Sequence, residues 1–464
     1  MADSNSINLA RIDLPRAAFW LFAASIVLLP IGLGGDRPFS LGLGQCGLAL
    51  SCALLAADKD IWRETVFFTR IRWALGLLGI VLVWAFVQTL GFVPVSWMHP
   101  LWQETAATLG QPLHGSISVA PEDSLKGLTR LLTYIVAGLL GYVLGQETLR
   151  ARRLVEVLWG VGSLICLYGL IVQAAGIDRV LWFAKTAYIG DLTATFINHN
   201  HFAIYAGLVL VSGLALTMQS WREHIVGARP HQKVALIRQW LLKQGLPRFF
   251  VLALILTAII LSHSRAGLVI SLFGVGLYLF FYQVYLHAWR RAWMIGLAMT
   301  AVIVLFIVVA ASVSDHFASL FADSSSIDRA KIYDLGWHVL QDNPWLGYGL
   351  NGFEPEYRLY QPGMVPEFNH LHNDILESLI DLGVAGGLIL WAAVALLLSG
   401  LWHGIMRRRQ NGLYPTLALT VSFMVLAHAL VDFDLQIPGV AMTWTALLGT
   451  GLAQSWRRAE KRAL

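Results

Sequence analysis

Six consecutive residues, Asn369-His370-Leu371-His372-Asn373-Asp374, gather titratable groups at the end of the longest polar stretch in a chain that is otherwise mostly apolar. An imidazole at a membrane-water boundary can take a proton near neutral pH, which is what a general base for a hydroxyl requires. His372 is the candidate base and His370 the alternate; the competing reading is a capping or headgroup-anchoring histidine. After the turn, Ile375, Leu376, Leu379 and Leu382 share one face of a predicted helix, and Asp374, Glu377, Ser378 and Asp381 another. A helix that began early enough would turn His372 toward the bundle.

Three further groups could carry chemistry. Arg265, in Ser262-His263-Ser264-Arg265-Ala266-Gly267, stands where two apolar runs meet almost without a loop. A guanidinium at a bilayer edge generally faces a cavity or an anion, and its planar fork suits phosphate. A cap or a topogenic charge is the plainer alternative. Asn198-His199-Asn200-His201 directly precedes an apolar run. Four adjacent donor-acceptor side chains at a helix start can hold a sugar or a phosphate, or simply cap the helix. His-x-His also suggests metal, but no carboxylate or cysteine companion stands at ligand spacing, so zinc is not expected. His428 is followed by Asp432-Phe433-Asp434-Leu435-Gln436-Ile437-Pro438; an ionisable residue inside a span is a functional candidate, although His428 and Asp432 are also spaced for a structural pair. Gly347, Gly349 and Gly352 lack the strand-to-helix context of a nucleotide loop, and Asn343-Pro344-Trp345-Leu346-Gly347-Tyr348-Gly349 reads as a turn.

The elements that position these groups are membrane helices. With 57% hydrophobic and 13% charged residues among 464, the chain has many runs near the roughly 20 residues that cross a bilayer. Apolar runs predict spans at 17–34, 39–56, 72–92, 128–145, 154–175, 201–219, 248–262, 266–286, 293–312, 384–401, 413–431 and 440–455. The expected fold is all-α: one integral membrane domain over residues 1–464 of about 12 transmembrane helices, with a large periplasmic loop, 313–383, between the ninth and tenth. If the N-terminus is inside, inner segments hold 24 of the 33 Lys and Arg. That bias orients the chain with both termini cytoplasmic and accounts for the positive net charge without nucleic acid. Arg407-Arg408-Arg409 and the Arg457–Arg462 tail then read as anchors near membrane lipids.

Cys46, Cys52 and Cys166 sit in apolar runs without redox or metal spacing and read as packing residues. Arg11 and Arg16 before an apolar run mimic a signal peptide, but the run leads through Pro30 and a Gly-Gly-Asp-Arg turn into another span, which predicts a retained first helix. Trp97, His99, Trp102 and His114 read as interfacial anchors.

Taken together, the motifs resemble the bacterial O-antigen ligase and O-antigen polymerase superfamily of inner-membrane lipid-linked glycan transferases. His372-Asn373, nine residues, then Gly383-Val384-Ala385-Gly386 is similar to its His-Asn-x9-Gly-x-x-Gly signature. Thr195 to Ala203, Ser264 to Gly267, Asn343 to Gly349 and His428 to Pro438 follow in the family's order, from about residue 190 onward. The resemblance implies a glycosyltransferase that moves a glycan from undecaprenyl diphosphate to an acceptor hydroxyl, with no cofactor, metal or nucleotide. His372, with His370 as alternate, would be the base and Arg265 the partner of the departing diphosphate; Asn198, His199, Asn200, His201, Asn373 and Asp432 would bind substrate. Many relatives carry Arg at the position of His199, so Lys185, Arg329 or Lys331 would have to supply the second positive contact.

The acceptor expected first is a lipid A core, as in a ligase of lipopolysaccharide biosynthesis. The alternative is a second lipid-linked glycan, as in a polymerase of O-antigen or exopolysaccharide. A protein O-oligosaccharyltransferase ranks third. A transporter of such lipids would expect broken or charged helices near the midplane and matched halves, whereas the polar groups here gather at one face.

Overall fold

A computed structural model describes residues 13–58, 66–312, 324–360, 369–408 and 411–456. Arg11, Asp315, Asp323, Arg409 and the Arg457–Arg462 tail lie outside them, and the side chains of Asp328 and Arg329 are likewise not described. The helices of eight or more residues are α1 (Leu14–Ile31), α2 (Pro38–Ala56), α3 (Arg72–Val87), α4 (Pro100–Leu109), α5 (Pro121–Leu144), α6 (Thr148–Ala174), α7 (His199–Ile225) and α8 (Pro230–Trp240). They continue with α9 (Leu246–Leu261), α10 (Arg265–Tyr285), α11 (Trp289–Ser312), α12 (Ser324–Asp342), α13 (Phe353–Tyr360), α14 (Asp374–Arg407), α15 (Leu413–His428) and α16 (Pro438–Ala453). A two-residue antiparallel pair, β1 (Arg179–Val180) with β2 (Phe183–Ala184), ties the loop before α7.

Among the described residues, eight helical segments are long and apolar enough to cross a membrane by length and composition. The chain is a multi-pass helical membrane protein. Helices also cover the other predicted runs, but α3, α15 and α16 have 16 residues each, short of the usual span. The stretch 313–383, expected as a loop, is partly helical, since it contains α12, α13 and the first turns of α14.

The core is built around α7, which is apolar almost all round and buried on nearly every side, as such a helix must be. Small residues set the closest approaches. A Cβ on Gly449 would lie 1.9 Å from the Gly138 carbonyl oxygen, and one on Gly141 would lie 2.5 Å from that of Ala446. Hence α5 and α16 meet backbone to backbone, a contact only glycine permits.

Within α14 the helix is broken at Gly383, whose φ of 73° and ψ of 161° fit glycine alone. The break frees carbonyls that an apolar surrounding would otherwise leave unsatisfied. Trp84 Nε1 donates to the Leu382 oxygen at 2.8 Å, and Gln88 Nε2 donates to that of Asp381 at 2.8 Å. The backbone N–H groups of Tyr348 and Gly349 also donate to Asp381, and that of Val384 donates to Pro344 at 2.7 Å. The Asn343–Gly349 turn therefore serves as the splint of a broken helix, and Gly347 approaches so closely that its Cβ would lie 2.3 Å from the Gly383 nitrogen.

Candidate active site

Helix α14 starts later than an early turn toward the bundle would need. Asn373 is its N-cap, accepting from Leu376 N at 3.0 Å, so Asp374 is the first helical residue. His372 lies outside the helix in a left-handed conformation, φ 56°. It is aimed by two other partners: its Nδ1 donates to Asp432 Oδ1 at 3.1 Å, and its carbonyl accepts from the Tyr333 hydroxyl of α12 at 2.8 Å.

Asp432 is the hub of the site. It is 1% exposed, yet besides His372 it accepts from Asn200 Nδ2 at 2.8 Å and from the Phe433 N–H at 2.9 Å, with His201 Nε2 at 3.6 Å. Burial alone pushes its carboxyl up, but the hydrogen bond from His372 and the nearby His201 and His428 rings outweigh that and hold it well below the usual carboxylate range. The Asn200 carbonyl in turn accepts from Ser264 Oγ at 2.7 Å, and Ser264 caps α10 through Gly267 N at 3.2 Å. One hydrogen-bonded line thus joins the segments around residues 200, 264, 372 and 432. Arg265, the residue after this cap, is exposed at the first position of α10.

The neighbouring residues of the Asn198–His201 segment have distinct tasks. The Asn198 side chain caps α7 by accepting from Asn200 N at 2.8 Å. His199 Nδ1 donates to the Ser262 carbonyl at 2.8 Å and faces Asp191 Oδ2 at 3.0 Å. Asp191 also accepts from His263 Nδ1 at 2.7 Å, and its carbonyl accepts from Lys185 Nζ at 2.6 Å. Of the cations named for the second positive contact, Lys185 therefore shares Asp191 with His199, and burial lowers its pKa despite Asp178 and Asp191. Lys331 is on α12, two residues before Tyr333. Among the described residues no group of three His, Cys, Asp or Glu is arranged to hold a metal ion.

His370 is fixed separately. Its Nδ1 donates to Glu377 Oε1 at 3.0 Å, while the other Glu377 oxygen accepts from Leu371 N at 2.9 Å. Phe433 packs against three imidazoles, with its ring centroid 4.5 Å from His370, 4.6 Å from His201 and 4.8 Å from His372.

Two expectations change, and the polar face of α14 proves to be buried: Asp374, Glu377 and Asp381 are 3%, 1% and 2% exposed. Each of those carboxyl groups receives backbone N–H groups or side-chain donors from the surrounding turns, so the helix points its acidic side chains inward to organise them. His428 pairs with Asp434 rather than Asp432, because the chain turns after α15 and brings the later carboxylate back onto Nδ1. His99 is not a headgroup anchor but is 8% exposed, with Nε2 3.0 Å from Glu356 of α13. Sequence reasoning passed over the roles of Glu377, Ser264, Asp191 and Phe433, and did not single out the Arg130 guanidinium, which donates to the side chains of Asn351 and Gln436. A carboxylate one turn into a helix after a His-x-His was the available signal for Glu377.

Residues 250–391 match the family model described as O-antigen ligase, just under a third of the chain. The matched stretch contains Arg265, His370, His372 and the Gly383 break, whereas Asn200 and Asp432 lie on either side of it. No curated protein matches the chain. Members of the matched family are membrane glycosyltransferase-type enzymes of the ligase and polymerase kind, acting on lipid-linked glycans.

Proposed function

We propose that this member of the O-antigen ligase and polymerase superfamily transfers a glycan from undecaprenyl diphosphate to an acceptor hydroxyl, ligase-like, in surface polysaccharide assembly. The reading takes about twelve spans in the inner membrane, both termini cytoplasmic and the His372 end facing the periplasm. The observation that carries it is the hydrogen-bonded line from His372 through Asp432 and Asn200 to Ser264, which unites four separated motifs beside Arg265.

Because a carboxylate only accepts, Asp432 requires the proton on His372 Nδ1 and makes Nε2 the basic nitrogen. In the transfer, the acceptor oxygen bonds to the anomeric carbon and its proton passes to Nε2. The bond from that carbon to the diphosphate oxygen breaks, and the electron pair leaves with the diphosphate. Asp432 steadies the imidazolium, as the carboxylate of a hydrolase triad does. Arg265 offsets the charge that grows on the leaving group, with Lys185 as the second cation. No metal is required in this scheme, since base and charge stabilisation both come from side chains. Asn200, His201 and Asn198 act here by holding the hub and the α7 cap.

The test uses purified protein with an undecaprenyl-diphosphate glycan, offering lipid A core or a second lipid-linked glycan as acceptor. Wild type should release undecaprenyl diphosphate, and folded His372→Ala and Arg265→Ala variants should lose that release. The acceptor consumed separates ligase from polymerase. Full activity of His372→Ala would remove it as the base.

A further inference from the structure

A half-open cavity of about 380 Å³ lies where the end of α7 meets the end of α10 and the start of α15. Asn200 and Arg222 stand at opposite ends of α7, about 33 Å apart at a rise of about 1.5 Å per residue. The cavity therefore belongs to the membrane face opposite the Asp432 hub. Val226 in its lining and Leu286, just beyond Tyr285, are exposed apolar residues, a surface suited to acyl chains.

The cavity carries an unbalanced charge. Arg222 is half-buried in the last turn of α7; its Nη1 donates to the Tyr285 hydroxyl at 3.0 Å, and its guanidinium lies 5.2 Å from the centre of the Tyr285 ring. Among the described residues it pairs with no carboxylate. Its neighbour Glu223, the acid in the cavity lining, is already held by Arg152 Nη1 at 3.2 Å and by Gln219 Nε2 at 2.9 Å. A phenol and a ring face ease the desolvation of a guanidinium without cancelling its charge, and a charge withdrawn from water calls for a counter-ion.

Two polar atoms of the lining, the Tyr414 hydroxyl and Gln219 Oε1, are buried and make no hydrogen bond among the described residues. Tyr414 is 2% exposed. Buried polar groups nearly always have partners, so the phenol has a donor to offer an anion held by Arg222, and the amide oxygen calls for a hydroxyl or N–H on the same ligand. The start of α15 favours an anion too: it begins in the lining at Leu413 with no side-chain cap. A cationic head would instead add positive charge beside Arg222 and Arg152.

We propose that this cavity binds the phosphodiester head of an anionic phospholipid from the leaflet opposite the hub, with the phosphate between Arg222 and Tyr414, a headgroup hydroxyl on Gln219, and the acyl chains leaving past Val226. Basic pockets between membrane helices hold acidic lipid heads in this manner. The site lies apart from the glycan-transfer residues and does not depend on that reading. When filled, it ties α7 and α10 to the start of α15 through a neutralised guanidinium.

The experiment places the full chain in nanodiscs of phosphatidylcholine alone or with increasing phosphatidylglycerol. Lipid retained after transfer to detergent is counted by native mass spectrometry, and the melting temperature is read in the same nanodiscs. Wild type should keep a single phosphatidylglycerol over phosphatidylcholine by about tenfold or more, and should melt higher as phosphatidylglycerol is added. Arg222→Gln should weaken that retention about 10–100-fold, the worth of charge-assisted hydrogen bonds. Tyr414→Phe, which removes only an unsatisfied hydroxyl, should weaken it about 3–10-fold with an unchanged melting temperature in phosphatidylcholine, which separates lost binding from lost folding. Arg290→Gln, at an exposed cation outside the lining, should change neither. Inorganic phosphate should neither raise the melting temperature in phosphatidylcholine nor displace phosphatidylglycerol. Equal retention of the two lipids, wild-type retention in Arg222→Gln or Tyr414→Phe, or an equal loss in Arg290→Gln would overturn the site. Stabilisation by inorganic phosphate in phosphatidylcholine would overturn the lipid as the source of the anion.

Discussion

Asp432→Asn is the substitution whose effect follows most directly from the geometry. The carboxylate accepts from His372 Nδ1 and Phe433 N at one oxygen and from Asn200 Nδ2 at the other. An amide offers one acceptor and one donor, so some donor must face a donor. If its NH₂ takes the Oδ2 position, Asn200 can flip and present its NH₂ to Ser264 Oγ, which can accept; His372 keeps its aim and loses only its counter-charge. If the NH₂ takes the Oδ1 position, His372 Nδ1 must become an acceptor, and the proton moves to Nε2, where it blocks the base. The first arrangement forfeits charge stabilisation, about 10²-fold, and the second nearly all general-base catalysis, about 10⁴-fold. In barrier terms this is about 3–5 kcal/mol. Single-turnover release of undecaprenyl diphosphate across pH 5–9 would report it. A rate within fivefold of wild type would refute the dyad. So would strict additivity with His372→Ala, since groups that act as a unit are not additive.

Other outcomes follow from the same contacts. Arg265→Ala should lower turnover about 10²–10³-fold, and Arg265→Lys should recover part of it, since the charge returns without the fork; equal loss in both would point to geometry alone, and no loss would exclude the contact. His370→Gln should cost no more than about tenfold if the ring only carries the Glu377 hydrogen bond; a loss as deep as that of His372→Ala would transfer the base to His370. Gly383→Ala should unfold the protein at a lower temperature, because a Cβ would lie 2.3 Å from the Trp345 oxygen in a conformation that costs about 1–3 kcal/mol without glycine; a melting temperature equal to wild type would contradict the break. The Asp432 carboxyl is held below its unfolded value of about 3.9, so its stabilisation is complete above that value and lost only as pH falls through the lower folded one. Acidification below about pH 4 should accordingly narrow the difference in melting temperature between wild type and Asp432→Asn, and a difference that stays unchanged there would contradict the depressed pKa.

Much of this architecture was legible as apolar runs and turn residues, because a helix in lipid must satisfy its backbone internally and its length is set by the bilayer. The junction at Ser262–Gly267 and the helix start at Asn198 were readable for the same reason. The orientation of α14 was not. Periodicity divides Asp374, Glu377 and Asp381 from Ile375 and Leu379, but in an apolar bundle polarity no longer tells inside from outside, and the carboxylates face inward where turns supply donors. The His428 partner was missed because helical spacing was extended past the end of α15. His372 depends on Asp432, 60 residues away, and no local pattern encodes such a contact.

That dependence has a consequence for how the protein is made. Asn200 and Ser264 emerge from the ribosome before His372, and Asp432 follows His372 by 60 residues. The carboxylate that aims His372 is therefore missing from every nascent chain until α15 has been delivered to the membrane. A chain stalled before that point would carry His372 without the partner that orients it.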